Sequence, residues 1–302
     1  MEAYFLTCGQ HSKNSEMHIK TLDTGPFKLD GGAMFGVVPK TLWQRTNPAD
    51  DRNLCEWALR NLLIETTDAS GKPRLLLVDT GVGDKQDAKF MGFYDLPNGK
   101  TLPDAVQQAG YTLSDVTDVL LTHLHFDHAG GAVRWADAGR TRLEPTFPRA
   151  TYWSHSQQWA WAMQPNPRER ATYLRENIMP LHESGQLRFS DQHELGIPGI
   201  ELLYVDGHTE KMLMPKIETN GQTLLFCADL IPSASHVPVP YVMGYDVRPL
   251  LTMDEKTQYL TRAVQENWLL VFDHDPTCEA ATVEQTEKGV RVKEKGPLAE
   301  FI

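Results

Sequence analysis

Short apolar runs bounded by polar residues recur along the chain of 302 residues, and they predict buried β-strands. The residue that follows each run carries a side chain suited to catalysis or metal binding. The apolar runs, each given with the polar residues after it, are 75–78 with Asp79, 116–121 with Thr122 and His123, 200–205 with His208, 224–228 with Asp229, and 269–272 with Asp273, His274 and Asp275. Sheet-based enzymes place their sites in loops at strand ends, where a rigid scaffold holds them. We therefore expect these followers to share one site.

Helices are predicted between the strands. Apolar residues at three- and four-residue spacing predict a helix over 167–183, and residues 129–138 after the histidine cluster are also predicted to be helical. Thr252 and Glu255 have the spacing of a capping box, which predicts a helix from Thr252 to about Asn267. The segments Gly31-Gly32, Asn98-Gly99 and 232–240 indicate loops.

Strands and helices alternate, and no linker divides the sequence. We expect an α/β (α+β) fold in one domain spanning residues 1–302.

Composition narrows the class of partner. The formal net charge of −11 argues against a nucleic-acid partner, which needs a basic surface, and favours a small-molecule substrate. Apolar runs fall short of the ~18 residues needed to cross a bilayer. The first residues lack the basic and apolar regions of a secretion signal. The four widely spaced cysteines do not form a disulfide framework, so we expect a reducing, cytoplasmic location.

The segment Thr-His-Leu-His-Phe-Asp-His at 122–128 is the strongest chemical signal. In a tight loop after a strand, His123 and His125 point the same way and can hold one metal ion, while Asp127 and His128 turn to offer ligands to a second. Imidazole together with carboxylate suits Zn²⁺ and neighbouring first-row metals. Two metal shells need more ligands, and His208, Asp229 and His274 supply them at the ends of other strands.

This ordered set resembles the metallo-β-lactamase-fold hydrolase superfamily, over nearly the whole chain. Within it the sequence is most similar to the branch of N-acyl homoserine lactone lactonases and methyl parathion hydrolases. The segments 30–40 and 78–85 support that placement. The resemblance implies a four-layer αββα sandwich of two mixed β-sheets flanked by helices, with metals at one edge.

The resemblance also implies a role for each ligand. His123, His125 and His208 would hold one cation, Asp127, His128 and His274 the other, and Asp229 would bridge the two. Asp79 would accept an imidazole N–H from a ligand. We expect two divalent cations per chain, with zinc first and Mn, Fe or Co as alternatives. A homodimer is an option, because several relatives dimerise.

Two departures concern the substrate. Lactonases carry a tyrosine three residues after the bridging aspartate, where this chain has Pro232, and Gly-His-Thr is followed here by Glu-Lys-Met rather than Pro-Gly-His. Tyr241, Tyr245 or His236 are candidates to reach the site from the following loop. Residues 90–94 are a candidate apolar lid, with ordinary packing as the alternative.

The predicted activity is hydrolysis of an ester, lactone or phosphotriester bond by a hydroxide bridging the two cations, with Asp127 or Asp229 carrying the proton to the leaving group. The alternative on the same fold is a mononuclear iron oxidoreductase of the persulfide dioxygenase kind. Flavin-dependent di-iron reductases have Glu in place of His125, and the acidic charge disfavours tRNA-processing nucleases. Metal binding without catalysis is a further option.

Overall fold

The computed structural model describes residues 17–96 and 101–302, whose strands form two six-stranded sheets and one two-stranded hairpin. In the first sheet the strands run in the order β1-β2-β3-β4-β7-β8, and in the second β14-β13-β12-β11-β10-β9. The strands of the first sheet are β1 (His18–Asp30), β2 (Leu54–Thr67), β3 (Pro73–Val78), β4 (Asp118–Leu120), β7 (Thr151–Ser154) and β8 (Leu187–Phe189). Those of the second are β9 (Ile200–Val205), β10 (Met212–Thr219), β11 (Gln222–Phe226), β12 (Leu269–Val271), β13 (Ala280–Thr286) and β14 (Gly289–Gly296), while β5 (Val133–Trp135) pairs with β6 (Leu143–Pro145).

The α-helices join these strands and cover the outer faces. They are α1 (Gly31–Phe35), α2 (Lys40–Trp43), α3 (Ala88–Phe93), α4 (Leu102–Gln108), α5 (Phe126–Ala129), α6 (Ser156–Met163), α7 (Arg175–Glu183) and α8 (Pro249–Glu266). Short 3-10 turns lie at Gly130–Ala132, Ala228–Leu230, Ala234–His236 and Leu298–Glu300.

Both sheets are mixed. In the first sheet β3, β4, β7 and β8 pair in parallel, while β1, β2 and β3 are antiparallel. In the second sheet β11 and β12 are parallel, and the remaining pairs are antiparallel. Parallel neighbours end at the same edge, so the loops after β3 and β4, and after β11 and β12, emerge side by side.

The strand period of two residues divides the side chains of the first sheet between two apolar cores. Leu62 and Ile64 of β2 face the second sheet, and Leu63 between them faces the opposite way. The inner core also takes residues of β9 to β13, so the two sheets pack face to face. Helix α8 covers the outer face of the second sheet, and α4 and α7 cover that of the first. The four-layer αββα sandwich of two mixed sheets is thereby confirmed.

The helix predicted over 129–138 is wrong. The chain forms the single turn α5, a 3-10 turn at Gly130–Ala132 and then β5. A Cβ atom on Gly130 would lie 1.9 Å from the Val82 carbonyl oxygen, and one on Gly131 would lie 2.1 Å from the Thr80 oxygen. This backbone contact leaves no room for a continuing helix.

Two other helix boundaries also differ from prediction. Within the predicted helix 167–183, only Arg175–Glu183 is an α-helix. Helix α8 begins at Pro249, one turn before the predicted capping box. Instead of capping this helix, Glu255 accepts hydrogen bonds from the backbone of Asp206 and Gly207 at 2.7 and 3.0 Å. Gly31-Gly32 opens α1 rather than a loop.

Three of the cysteines, Cys55, Cys227 and Cys278, are buried free thiols, as expected. Cys8, His11 and the turn predicted at Asn98-Gly99 lie outside the described residues. Across the ranges that the structure describes, none of the helices combines the length and apolarity required to traverse a bilayer.

Candidate metal centre

The seven side chains predicted as ligands meet at one edge of the sandwich. They belong to the loop and helix α5 that follow β4, and to the loops after β9, β11 and β12. The seven residues are His123, His125, Asp127, His128, His208, Asp229 and His274, and among them Asp127 is the least enclosed, with its side chain about one-tenth exposed.

Three imidazoles and one carboxylate form a first pocket, His123, His125, His208 and Asp229, with one ligand atom of each within 4.8 Å of the others. Nε2 of His208 lies 3.0 Å from Asp229 Oδ2 and 3.2 Å from His125 Nδ1. Nε2 of His123 lies 3.7 Å from the same Asp229 oxygen. This is the set that the resemblance implies for one cation.

A second pocket lies beside it and shares Asp229. Nε2 of His128 and Nε2 of His274 are 3.3 Å apart, and Asp229 Oδ1 lies 3.6 and 3.2 Å from them. Asp127 Oδ2 lies 3.7 Å from His274 Nε2. One oxygen of Asp229 therefore faces each pocket, which is the arrangement of a bridging carboxylate.

The second pocket contains a carboxylate that was expected at the shared site but was not predicted as a ligand. Asp273 joins His128, Asp229 and His274 in a group whose ligand atoms lie within 4.8 Å of one another. Its place directly before His274 at the end of β12 was the available signal.

Each histidine of the cluster has an outer hydrogen-bond partner, which fixes its ring. The Nδ1 partners are Asp246 Oδ1 for His208 at 2.8 Å, Asp79 Oδ2 for His128 at 2.9 Å, the Ala58 carbonyl for His274 at 2.8 Å and Thr122 Oγ1 for His123 at 3.1 Å. Carboxylate and carbonyl oxygens only accept, so Nδ1 carries the proton in the first three. The Thr122 hydroxyl donates to Asp79, so it accepts from His123. The contact expected for Asp79 is thus present.

His125 has the opposite ring orientation. Its Nδ1 faces His208 inside the pocket, and its Nε2 lies 3.3 Å from Glu169 Oε1. Glu169 is buried and also accepts from Thr209 Oγ1 at 2.6 Å and Trp161 Nε1 at 2.7 Å. Glu169 comes from a turn far from the histidine motif, so no local spacing indicated it.

Burial lowers the pKa of His123 and His125, whereas nearby carboxylates raise the pKa of the other three histidines of the cluster. Burial lowers the pKa of His208, but the Asp229 and Asp246 carboxylates outweigh burial and raise it to about 10. Burial likewise opposes protonation of His274, yet Asp273 and Asp229 raise its pKa to about 9. A bound cation would replace these protons, because a ligand imidazole must be neutral.

Unpaired buried atoms test whether metal ions fit. Nε2 of His123, Oδ1 of Asp229 and both carboxylate oxygens of Asp273 are buried and make no hydrogen bond. Buried polar atoms without partners are rare in folded proteins, and a cation supplies the missing partner. The nitrogen and oxygen donors match first-row divalent cations, so the residues fit the predicted group.

A cavity of about 340 Å³ opens over the two pockets. The metal-centre residues His125, Asp127, His208, Asp229 and His274 form its floor, and apolar and aromatic side chains dominate its walls. The wall residues are Leu29, Met34, Tyr94, Phe126, Arg168, Glu169, Ala171, Thr172, Met243, Gly244 and Tyr245. Such a cavity suits a substrate that presents a reactive group to the floor and an apolar group to the walls.

Of Tyr241, Tyr245 and His236, the three candidates to reach the site from the loop after Asp229, only Tyr245 lines the cavity. The His236 ring stacks on Phe35 and contacts the Met34 carbonyl at 2.9 Å, so it holds the loop. Tyr241 packs edge-on against Phe35. Of the predicted lid, Tyr94 lines the cavity, whereas Phe93 is 62% exposed and outside it.

Comparisons with known proteins agree with this geometry. Residues 65–274 match the family model of the metallo-beta-lactamase superfamily. A probable metallo-hydrolase of Mycobacterium tuberculosis is 27% identical over 244 residues, which cover 71% of this chain and 74% of that protein. An N-acyl homoserine lactonase of Bacillus cereus is 25% identical over 260 residues, covering 81% and 88%.

Solved structures show the same fold. A probable metal-dependent hydrolase from Staphylococcus aureus superposes with a TM-score of 0.83 at 28% identity, covering 95% of this chain and 98% of that one. A dizinc quorum-quenching lactonase, solved with a product, has a TM-score of 0.74 at 19% identity, with 93% and 95% covered.

Proposed function

Because the chain belongs to the metallo-β-lactamase superfamily, we propose that it is a hydrolase with a dinuclear metal centre that cleaves a lactone, ester or phosphotriester bond. The observation that carries this proposal is the position of Asp229. Its two oxygens face two separate sets of ligands, 3.0 Å from His208 Nε2 on one side and 3.2 Å from His274 Nε2 on the other. A site for a single ion has no use for the second set.

Bound in these pockets, two divalent cations would supply Lewis-acid polarisation of the substrate oxygen and acidify a water enough for it to attack at neutral pH. The chain's own residues would do the rest. Asp127 lines the cavity at its floor, and its carboxylate would take the proton of the attacking water and deliver it to the leaving oxygen. The enclosing walls would exclude bulk water from the reacting group.

Of the two tyrosines in the cavity wall, Tyr245 is proposed to orient the substrate. Tyr245 lies at the mouth of the cavity, 39% exposed, and is the candidate to contact the substrate's carbonyl or phosphoryl oxygen. It comes from the loop that follows Pro232, the position where lactonases have tyrosine. The relatives named lactonases support a lactone substrate, while the apolar wall is also compatible with an aryl ester or a phosphotriester.

Metal analysis joined to a substrate panel tests the proposal. We expect two first-row cations per chain in protein purified without chelator, and turnover of at least one class among acyl homoserine lactones, simple lactones, p-nitrophenyl esters and phosphotriesters. A single iron per chain without hydrolysis of any of these would overturn it.

A variant of the second pocket sharpens the test. His274→Ala should lose one cation and about a hundredfold or more in kcat, because the second cation lacks a ligand. The matched control is His18→Ala, which removes an exposed histidine outside the cluster and should leave both cations and kcat unchanged. Full metal content and activity in His274→Ala would contradict the assignment.

A further inference from the structure

Asp273 is a buried carboxylate that the proposed mechanism does not use. It lies at the end of β12, its relative exposure is 2%, and neither of its oxygens has a hydrogen-bond partner. Within residues 17–96 and 101–302, no other aspartate or glutamate has both carboxylate oxygens buried without a hydrogen-bond partner. Burying such a group without a partner costs several kcal/mol, so a compensating charge is expected.

Three other buried carboxylates near the pockets, which are not among the predicted ligands, differ from Asp273 because hydrogen-bond donors occupy them. Asp79 accepts from Thr122 and His128, Asp246 from His208, and Asp275 from the backbone of Ala234 and Thr277. Asp79 and Asp246 fix imidazole rings of the pockets, whereas Asp275 fixes the turns at Ala234 and Thr277. Asp273 fixes nothing by a hydrogen bond, so its oxygens remain free for another ligand.

The position of Asp273 puts it at the second pocket. Its Oδ2 lies 3.7 Å from His274 Nε2, the nitrogen of that ring which faces the pocket. This distance equals that from Asp127 Oδ2 to the same nitrogen, and Asp127 is already counted among the ligands. Atoms that bind one cation at about 2.1 Å are separated by 3 to 4 Å, so the spacing suits a shared ion.

We propose that Asp273 is a ligand of the cation in the second pocket, and that it makes the two pockets prefer different metals. This inference rests on the proposed dinuclear centre. With Asp273 the second pocket offers two imidazoles and the three carboxylates Asp127, Asp229 and Asp273, whereas the first offers three imidazoles and Asp229.

The different donor sets have a chemical consequence. Three imidazoles and one carboxylate suit Zn²⁺. Added carboxylate oxygens and a higher coordination number favour harder cations, of which Mn²⁺ and Fe²⁺ also accept imidazole. The second pocket therefore discriminates less strongly in favour of Zn²⁺, and a centre with zinc in the first pocket and manganese or iron in the second is the expected form.

Metal titration of the full chain tests this role. Protein stripped with a chelator is first given one equivalent of Zn²⁺ and then titrated with Mn²⁺, whose free form is measured by electron paramagnetic resonance. Asp273→Asn should weaken Mn²⁺ binding about tenfold or more, while the affinity for the first equivalent of Zn²⁺, measured with a chromophoric chelator, stays within about twofold.

Asp275→Asn is the matched control, since it neutralises a buried carboxylate two residues away whose oxygens are bound by Ala234 and Thr277. It should leave Mn²⁺ binding within about twofold of the wild type. An equal loss in both variants would show a general charge effect and overturn the proposal, as would unchanged Mn²⁺ binding in Asp273→Asn.

Stability of the metal-free protein separates a ligand from a structural residue. Asp273→Asn should unfold at the same temperature as the wild type or higher without metal, because no hydrogen bond is lost, and should gain less from added Mn²⁺. A large drop in the metal-free unfolding temperature, or failure to fold, would mean that the carboxylate supports the fold, and would overturn the proposal. If the wild-type protein binds only one cation, the dinuclear centre itself is contradicted. If it binds two cations and Asp273→Asn binds Mn²⁺ as tightly as the wild type, only this inference is contradicted.

Discussion

The ring orientation of each histidine is decided by a single neighbour outside the pocket. Four of the five rings hold Nδ1 outward and turn Nε2 into the pockets, and His125 does the reverse because Glu169 holds its Nε2. Burial raises the pKa of Glu169, but hydrogen bonds from His125, Thr209 and Trp161 outweigh it and lower the pKa to about 2. Glu169 is therefore ionised at neutral pH, and its carboxylate raises the basicity of the His125 imidazole.

Removing this partner should weaken the first pocket. In Glu169→Ala we expect Zn²⁺ affinity to fall about 10- to 100-fold, because the His125 ring loses both its fixed tautomer and its added basicity. Competition with a chromophoric chelator measures this directly. Absorption bands of the Co²⁺-loaded protein should shift as well, since they report the ligand geometry.

Two further variants separate positioning from packing. Glu169→Gln keeps the size of the side chain but turns an amide N–H₂ toward donors, so it should recover at most part of the affinity. Glu183→Gln, at an exposed glutamate of α7, should change nothing. Wild-type Zn²⁺ affinity in Glu169→Ala would rule out the positioning role.

Lys85 gives a prediction for pH. Its side chain is buried and donates to the Gly130 carbonyl, and burial, opposed by Asp84 and Glu176, lowers its pKa to about 7. In the unfolded chain the pKa of Lys85 has its ordinary value of 10.5, so between pH 7 and 10.5 the unfolded state binds more protons than the folded state. The unfavourable contribution of Lys85 to the free energy of unfolding is therefore full below pH 7 and shrinks as the pH rises through this window.

The free energy of unfolding of the metal-free wild type should therefore rise relative to Lys85→Met from pH 7 to pH 10, by on the order of a few kcal/mol. Denaturant titrations at several pH values measure it. The exposed Lys89, changed to Met, is the control and should show no such divergence. If the free energies of unfolding of the wild type and of Lys85→Met changed with pH in parallel, the prediction would be contradicted.

The residues that could be predicted from the sequence share one property. His208, Asp229 and His274 were readable because each follows an apolar strand run. Glu169 and Asp246 lie in turns whose sequences carry no such run, and they meet the histidines only after the chain folds. Asp273 was visible beside His274, but nothing local tells which of two adjacent polar residues faces a pocket.

At the scale of elements, helix α8 holds the loop that forms part of the cavity wall. Nζ of Lys256, buried in α8, donates to the carbonyls of His236, Pro238 and Tyr241 at 2.6, 3.0 and 2.8 Å. Burial lowers the pKa of Lys256 to about 7, yet three acceptors require three N–H groups, which only the ammonium form supplies. The geometry therefore favours the charged form, clamping the segment that leads to Met243 and Tyr245.

Lys256→Met should loosen that wall without disturbing the metal centre. Three buried carbonyls lose their donor, so stability should fall by roughly 3 kcal/mol or more. We expect KM to rise severalfold for the best substrate while the cation content stays at two. Lys293→Met, at an exposed lysine of β14, is the control. If Lys256→Met had the same KM as the Lys293→Met control, or if it lost a cation, this role for Lys256 would be contradicted.

The elements show where sequence patterns are ambiguous. The apolar runs at 75–78 and 269–272 are local features of the sequence, so strands β3 and β12 were readable. The Thr252 to Glu255 spacing is that of a cap, but Glu255 binds the backbone next to His208 instead. The helix predicted after the histidine motif fails because Gly130 and Gly131 pack on the backbone of Val82 and Thr80, in a loop that lies before β4 in the chain.

At the scale of the whole molecule, the ligands come from both sheets. His123, His125, Asp127 and His128 follow β4 of the first sheet, whereas the loops after β9, β11 and β12 of the second carry the other three. Each cation would therefore connect the two halves of the sandwich. Cations that bind only the native state add to its stability by mass action.

Removal of the cations should weaken the whole fold as well as the site. After chelation and dialysis we expect hydrolysis to vanish and the free energy of unfolding to fall by about 4 kcal/mol for each cation formerly at a thousand times its Kd. Adding Zn²⁺ should restore both. Calorimetry measures the effect, with the parent protein dialysed without chelator as the control. An unfolding temperature unchanged by chelation would show that the halves hold together without the ions.

The cavity separates its floor from its walls. The floor comes from strand ends that fix the chemistry, while Tyr94, Arg168, Thr172 and Tyr245 in the wall belong to three loops and lie outside the candidate ligand groups. Single substitutions in those loops can reshape what enters while leaving bond cleavage intact. Descendants of such a protein can therefore acquire new substrates by gradual drift through promiscuous intermediates, each of them still active, without rebuilding the catalytic machinery.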